Sequence, residues 1–207
     1  MNSQTVRDLL HQHVPLLSVD YCFTLWEIQP FAFKTTKTRQ SKVGDFSYRP
    51  GKIQQITINK ELHPYLFLTT YIHEVAHFRV HQIYGSRVLG HGKEWKQTFQ
   101  NLMEPMLKEE IYPLALLNIL RKHMVNPKAS SFSDSKLTAA FRKYDEKASH
   151  AIFLSSLPEG SIFGLQGKWY KKGKINRTRA VCVELKSKRK YLVPLDLEVS
   201  GTQLPLL

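Results

Sequence analysis

Hydrophobic positions along this chain change period several times. Over the first fifteen residues, Val6, Leu9 and Leu10 fall on one side of a helix that Pro15 closes. From Tyr21 to Ile58 the pattern turns to short alternating runs, FAFKTT, DFSYRP and IQQITIN, broken at Pro30, Gly44 and Pro50–Gly51. Such alternation predicts an antiparallel meander. After Asn59 the period is helical: Leu68, Ile72, Val75, Ala76, Val80 and Ile83 share one face, and Gly85 supplies the stop.

The loop GSRVLGHG leads into a second amphipathic helix beginning near Lys93, with Trp95, Phe99, Leu102, Met103 and Met106 on one face. Residues 111–125 add a further helical piece. NPKASSFSDS, residues 126–135, is small and polar and predicts a linker, followed by the polar helical stretch SKLTAAFRKYDEKA. From Ile152 the chain alternates again, and TRAVCVEL, a KSKR turn and KYLV predict a hairpin. The expected class is α+β. Its first domain, residues 1–125, packs a short antiparallel sheet on helices. A linker and polar helix follow over 126–150, and a small β-rich domain over 151–207.

The chemistry concentrates in TTYIHEVAHFRVH, residues 69–81. His73 and His77 lie only about 40° apart round a helix and about 6 Å along it, so both rings can reach one ion. Glu74 points roughly 100° round from His73, beside such an ion, where a carboxylate can take a proton from an activated water. His81 continues the series but stands about 12 Å along the axis from His73. Ligands of one tetrahedral zinc are separated by only about 3–4 Å, so a straight helix cannot supply all three.

The third ligand must come from elsewhere. HExxHxxGxxH is excluded, because Val80 and Ile83 stand where Gly and His would be needed. Glu94 and Glu104 on the next helix are candidates. His91 is the better one: it lies in GHGKEW between two glycines that permit close backbone approach, at the entry of the second helix. Antiparallel packing of the two helices would carry it toward the pair.

TYIHEVAH followed by GHGKEW resembles the SprT family of metallopeptidases, which includes the spartan proteases. TRQSKVGDFSYRPGKIQQITINKEL resembles the short strands that precede the active helix there, and the likeness covers about residues 16–108. It implies a zincin-like minimal peptidase domain, His73, His77 and His91 as ligands of Zn2+, and Glu74 as catalytic base. It further implies a protein substrate, in many members one bound or crosslinked to DNA. Bacterial relatives often end in a four-cysteine zinc ribbon. Here the chain has two cysteines in all, Cys22 and Cys182, so no four-thiolate site can form.

Composition adds a partner and a setting. Net charge is +13, and residues 168–190 hold ten Lys/Arg against one Glu. A positive segment so dense implies a polyanion, nucleic acid before a membrane surface, and the resemblance narrows that expectation to single-stranded or damaged DNA. The cations are Lys168, Lys171, Lys172, Lys174, Arg177, Arg179, Lys188, Arg189 and Lys190, with Lys186 between them. Trp169, Tyr170 and Tyr191 lie nearby. Stacking on bases competes with a duty in the core of a tiny domain, and for Trp169 the core is expected. Either the segment is a ribbon-like unit that has replaced its metal with a small apolar core of Phe163, Trp169, Tyr170, Val181, Val183, Leu185 and Tyr191, or it is an unrelated small barrel. In both, alternation puts Arg179 on the side of Val181 and Val183 and Glu184 on the side of Cys182.

With 42% apolar and 23% charged residues, the composition is that of a soluble globular protein. No apolar run approaches the roughly 18 residues that cross a bilayer. The first residues lack the basic start and apolar core of a secretory signal, and the two cysteines suggest no disulfide framework. A reducing, cytoplasmic setting is the expectation. The alternatives to a zinc endopeptidase are a non-catalytic nucleic-acid-binding protein with a structural zinc, and a regulatory peptidase for one specific protein.

Overall fold

The computed structural model describes residues 3–37, 39, 42–129, 134–145, 152–195 and 197–203. Among the described residues there are six α-helices and two sheets, and the chain divides into two units, Met1–Asp145 and Glu146–Leu207. No helix among them is long and apolar enough to cross a membrane.

The first unit begins with α1 (Ser3–His13), which buries Val6 and Leu10. Next comes α2 (Val19–Ile28), where alternating strands were expected to start. Its buried residues Val19, Cys22, Leu25 and Trp26 recur at three- and four-residue steps, a helical stripe hidden in an aromatic-rich run. Three strands follow: β1 (Ala32–Thr36), β2 (Gly44–Ser47) and β3 (Gln55–Asn59).

Chain direction alternates as a meander would, yet the sheet is mixed. The order is β1-β3-β2, with β3 parallel to β1 and antiparallel to β2. β3 takes the centre because it is the most apolar of the three: Ile56 and Ile58 are fully buried, whereas β2 is half-buried throughout. β2 is therefore an edge strand.

α3 (Pro64–Tyr84) is the spine of this unit. His63 caps it by accepting from the Leu66 N–H, Pro64 opens it, and Gly85 ends it at φ 60°, a conformation that costs glycine nothing. The helix buries residues from Leu66 to Val80 on nearly every side, against β2, β3, α1, α2 and α4 (Lys93–Met103). Ile83, expected on its inner face, is exposed. α5 (Leu114–Met124) and α6 (Ser135–Arg142) pack together, and Leu137, Ala140 and Phe141 of α6 join the first unit's core. Parts of the expected linker and polar helix, residues 130–133 and 146–150, lie outside the described residues.

The second unit is one six-stranded sheet in the order β4-β9-β5-β6-β7-β8. The strands are β4 (Ile152–Phe153), β5 (Ile162–Leu165), β6 (Lys168–Asn176), β7 (Arg179–Glu184), β8 (Lys190–Pro194) and β9 (Glu198–Gln203). The expected hairpin is β7–β8, with Val183 opposite Lys190. Its inner face differs from expectation. Ala180, Cys182 and Glu184 point inward, leaving Val181 and Val183 on the outer side with Arg179. The core is Leu154, Leu157, Phe163, Tyr170, Ala180, Cys182, Val193 and Val199. Trp169 is not in it: the indole is 47% exposed and lies across Gly201, where a Cβ would stand 2.7 Å from the ring.

Candidate metal centre

α3 carries His73 and His77 on adjacent turns, and the loop after Gly85 returns His91 to them. A bond from the Gly92 N–H to the Leu89 carbonyl shapes that loop, and Gly92 then caps α4, which packs on α3. The three Nε2 atoms form a triangle: His73 to His77 is 3.2 Å, His77 to His91 is 2.9 Å, and His91 to His73 is 3.4 Å.

These distances match a shared ion. Bonds of about 2.0–2.1 Å in tetrahedral geometry leave neighbouring nitrogens about 3.3–3.4 Å apart. Hydrogen bonding within the triangle cannot satisfy all three edges, because one imidazole nitrogen either donates or accepts and cannot do both. A cation uses all three lone pairs at once. The donor set, three imidazoles with no thiolate, suits zinc among the divalent metals.

Aromatic packing fixes the ring orientations. Trp95, fully buried on the first turns of α4, has its ring centre 4.7 Å from His73, 5.2 Å from His77 and 4.6 Å from His91. Phe99 backs Trp95 at 5.0 Å and His73 at 5.4 Å. The indole Nε1 has no hydrogen-bond partner among the described residues, so packing alone holds the ring. Burial pushes His73 well below its ordinary pKa, with His77 and His91 adding to the effect. It drives His77 down to about 4 and lowers His91 as well. All three are therefore neutral near pH 7, the form that binds metal.

Glu74 is buried at the next position on α3, under strand β2. Burial raises its carboxyl to about 8, opposed by the Phe46 N–H, which donates to it. Gly44 of β2 passes so close that a Cβ there would stand 2.6 Å from Glu74 Oε1 and 2.5 Å from Thr70 Cγ2. The pattern along the chain pointed to Gly44 only as a break between runs, and to Trp95 only as a core residue. Their contacts with the site come from pairings across the fold.

His81 stands apart, as the helix geometry requires. Its Nδ1 accepts from the Gln54 amide at 3.3 Å, and its ring packs 4.3 Å from Tyr48 and 5.5 Å from Phe46. Glu94 and Glu104 do not join the cluster. Among the described residues, His73, His77 and His91 are the group whose ligand atoms converge.

The basic segment of the second unit sorts into several environments. Lys171 and Lys190 flank Val183 in one row across the outer face, with Arg179 and Trp169 on the same side. Lys174 and Arg177 lie at the β6–β7 end, and Lys188 and Arg189 at the β7–β8 turn, all exposed. Lys168 is exposed and pairs with Glu184 at 3.4 Å. Lys172 departs from its expected role. It is 2% exposed and donates inward to the carbonyls of Leu154 and Leu157 at 2.7 and 2.5 Å, so its ammonium is not offered to a phosphate.

The model of the SprT-like family matches residues 17–116, a span that contains the sheet, α3, the three histidines and α4. No curated protein and no solved structure matches the chain.

Proposed function

Residues 17–116 belong to the SprT-like family, and from that premise we propose that the protein is a zinc-dependent endopeptidase. The observation that carries the reading is the convergence of three neutral imidazoles within 3.4 Å of one another, beside a buried glutamate on the same helix. A structural zinc has no use for that carboxylate, which favours catalysis over the non-catalytic alternative.

His73, His77 and His91 would hold the ion and leave a fourth position free. Zinc bound there supplies Lewis acidity toward a carbonyl and toward water. Glu74 in its ionised form would accept the proton of the attacking water and return it to the leaving amine, the work of a general base and then a general acid. Burial alone favours the protonated carboxyl, and a cation held by the neighbouring histidines would favour the ionised one. The Phe46 N–H and the close pass of Gly44 limit where that carboxylate can turn. Trp95 and Phe99 keep the three rings convergent.

For the second unit the proposal is contact with nucleic acid, single-stranded or damaged DNA, through Lys171, Lys174, Arg177, Arg179, Lys188, Arg189 and Lys190. Contacts of this kind favour general over sequence-specific binding. The substrate would then be a protein lying on that nucleic acid.

The test pairs metal content with cleavage. Purified protein is expected to hold one zinc per chain, lost in His77→Ala and kept in Glu74→Gln. Incubated with a basic DNA-binding protein, the wild type should produce fragments, and Glu74→Gln should reduce them by about 10²–10⁴-fold. Cleavage that survives Glu74→Gln overturns the assignment of the base. Addition of single-stranded DNA should raise the rate, and indifference to it would leave a peptidase without the nucleic-acid partner.

A further inference from the structure

A cavity of about 350 Å³ opens beside the metal centre, between α4 and the end of α5, and His91 forms part of its wall. Among the described residues its polar lining has one sign: the ammonium groups of Lys93 and Lys96 with the amides of Gln97, Gln100 and Asn126, and no carboxylate. Lys96 donates to Asn126 Oδ1 at 2.7 Å, a neutral partner that leaves its charge uncancelled. Gln100 donates to the Met124 and Val125 carbonyls at 2.7 and 3.2 Å, which holds the far wall in place. The first turn of α4 has no side-chain cap at Gly92 and adds its own positive end. The nearest acid on that turn, Glu94, lies beside Gly92 and does not line the cavity.

We propose that this cavity is a substrate subsite that receives a carboxylate of the polypeptide being cut. The inference rests on the endopeptidase reading for its ligand class, since the cavity and the ion site share His91. The volume lies within the range of small-ligand pockets and suits one acidic side chain. From Lys93 to Gln100 α4 runs about 10–11 Å, and His91 precedes it by two residues, so an extended peptide covers the distance in about four residues. The carboxylate therefore lies within about four residues of the scissile bond. It comes from an Asp or Glu side chain or from the chain terminus of a short product.

The experiment measures binding first, so that it does not depend on turnover. Zinc-loaded Glu74→Gln is titrated with fluorescent eight-residue peptides identical except for Glu, Gln or Lys at successive positions, each with a free or an amidated C-terminus. The Glu peptide is expected to bind about fivefold more tightly than the Gln peptide at one or two adjacent positions. In Lys93→Glu/Lys96→Glu, made on the same background, the preference should invert in favour of Lys. A preference that follows the free C-terminus instead identifies the terminal carboxylate as the ligand. Equal affinity for Glu, Gln and Lys, with no effect of the terminus, overturns the subsite. An oligonucleotide that displaces the Glu peptide, and loses that power in the double variant, overturns it in favour of a phosphate site. Cleavage of the same peptides by the wild type is scored separately. Absence of cleavage together with a clear Glu preference would remove the endopeptidase reading and keep the anion site.

Discussion

The two units handle polar chemistry in opposite ways. In the first, a few ionisable groups are drawn inside: three imidazoles, held neutral, press against Trp95, and Glu74 lies under β2. In the second, most charge stays outside on a thin sheet, Lys172 and Glu184 excepted, and the core beneath it is small. The chemistry proposed for the first would depend on positions good to a fraction of an ångström, because ligand distances tolerate only about 0.2 Å. The binding proposed for the second would depend on a sum of many contacts, each worth little and each screened by salt. A single substitution should therefore be severe in the first unit and mild in the second, and the exceptions locate buried polar groups.

The largest expected effect comes from Trp95→Ala. Removing a fully buried tryptophan costs about 3–5 kcal/mol, and freed imidazole rings should weaken zinc binding by about 10–100-fold. Trp95→Phe should restore most of the stability, because no hydrogen bond to Nε1 is lost. Calorimetry and metal titration check both. Full zinc affinity in the alanine variant would mean that α3 and the Gly90–Gly92 loop orient the rings unaided.

Lys172→Met is the exception in the second unit. The substitution leaves the Leu154 and Leu157 carbonyls without their donor, at about 1–3 kcal/mol, and should loosen the β6 region. Burial already lowers the pKa of this lysine, so the cost of hiding a cation opposes that loss. A destabilised variant puts the hydrogen bonds first. A neutral or stabilised one puts desolvation first and makes Lys172 a candidate for another duty.

Surface charge should act by number. Lys171→Ala/Arg179→Ala/Lys190→Ala removes three exposed cations from one face and should leave stability within about 0.5 kcal/mol of wild type. For single-stranded DNA the slope of log affinity against log salt should become shallower by about two. Trp169→Ala should leave that slope unchanged and weaken binding only if the indole stacks on bases. An unchanged slope in the triple variant places the nucleic acid elsewhere.

The sequence carried the centre of the first unit further than its frame. His73, Glu74 and His77 could be singled out because helix geometry limits which side chains reach one ion, and the same limit excluded His81. His91 was reached by its flanking glycines, its place at the entry of the next helix and the family resemblance. The sheet was harder to read. Alternation gave the strands and their directions, but which strand lies in the middle depends on how much each buries, so β1 and β3 came out parallel. α2 was missed because Tyr21, Phe23 and Trp26 give a helix a strand-like composition. In the second unit a one-residue choice of face moved Val181 and Val183 outward and Cys182 inward, as a period of two allows. Lys172 and Trp169 then exchanged their expected places. Gly44 left no signal beyond a chain break, since its contact with Glu74 belongs to the pairing of β2 over α3.

The smallest effect separates the two units by pH. His63 caps α3 and packs on Phe141, and burial pushes its pKa down to about 4, with Asp145 opposing the shift. Its imidazole is therefore neutral in the folded state at pH values where the unfolded chain already binds a proton. Stability from this source is complete above about 6.5 and is lost as pH falls from there toward 4. Between pH 7 and 5.5 the loss is about 1 kcal/mol. Other buried histidines of the first unit act in the same direction, so the contribution of His63 is read by difference. His63→Asn keeps a capping acceptor and removes the titration, and its stability should fall less over that interval. The second unit has no histidine among its described residues, and Glu184, held below the usual carboxylate range by Ser187, stays ionised throughout. Amide exchange followed at pH 7 and 5.5 should show protection falling in α3 and α6 while β6 and β7 keep theirs. Equal losses in both units would mean that the acid sensitivity does not arise from the buried imidazoles.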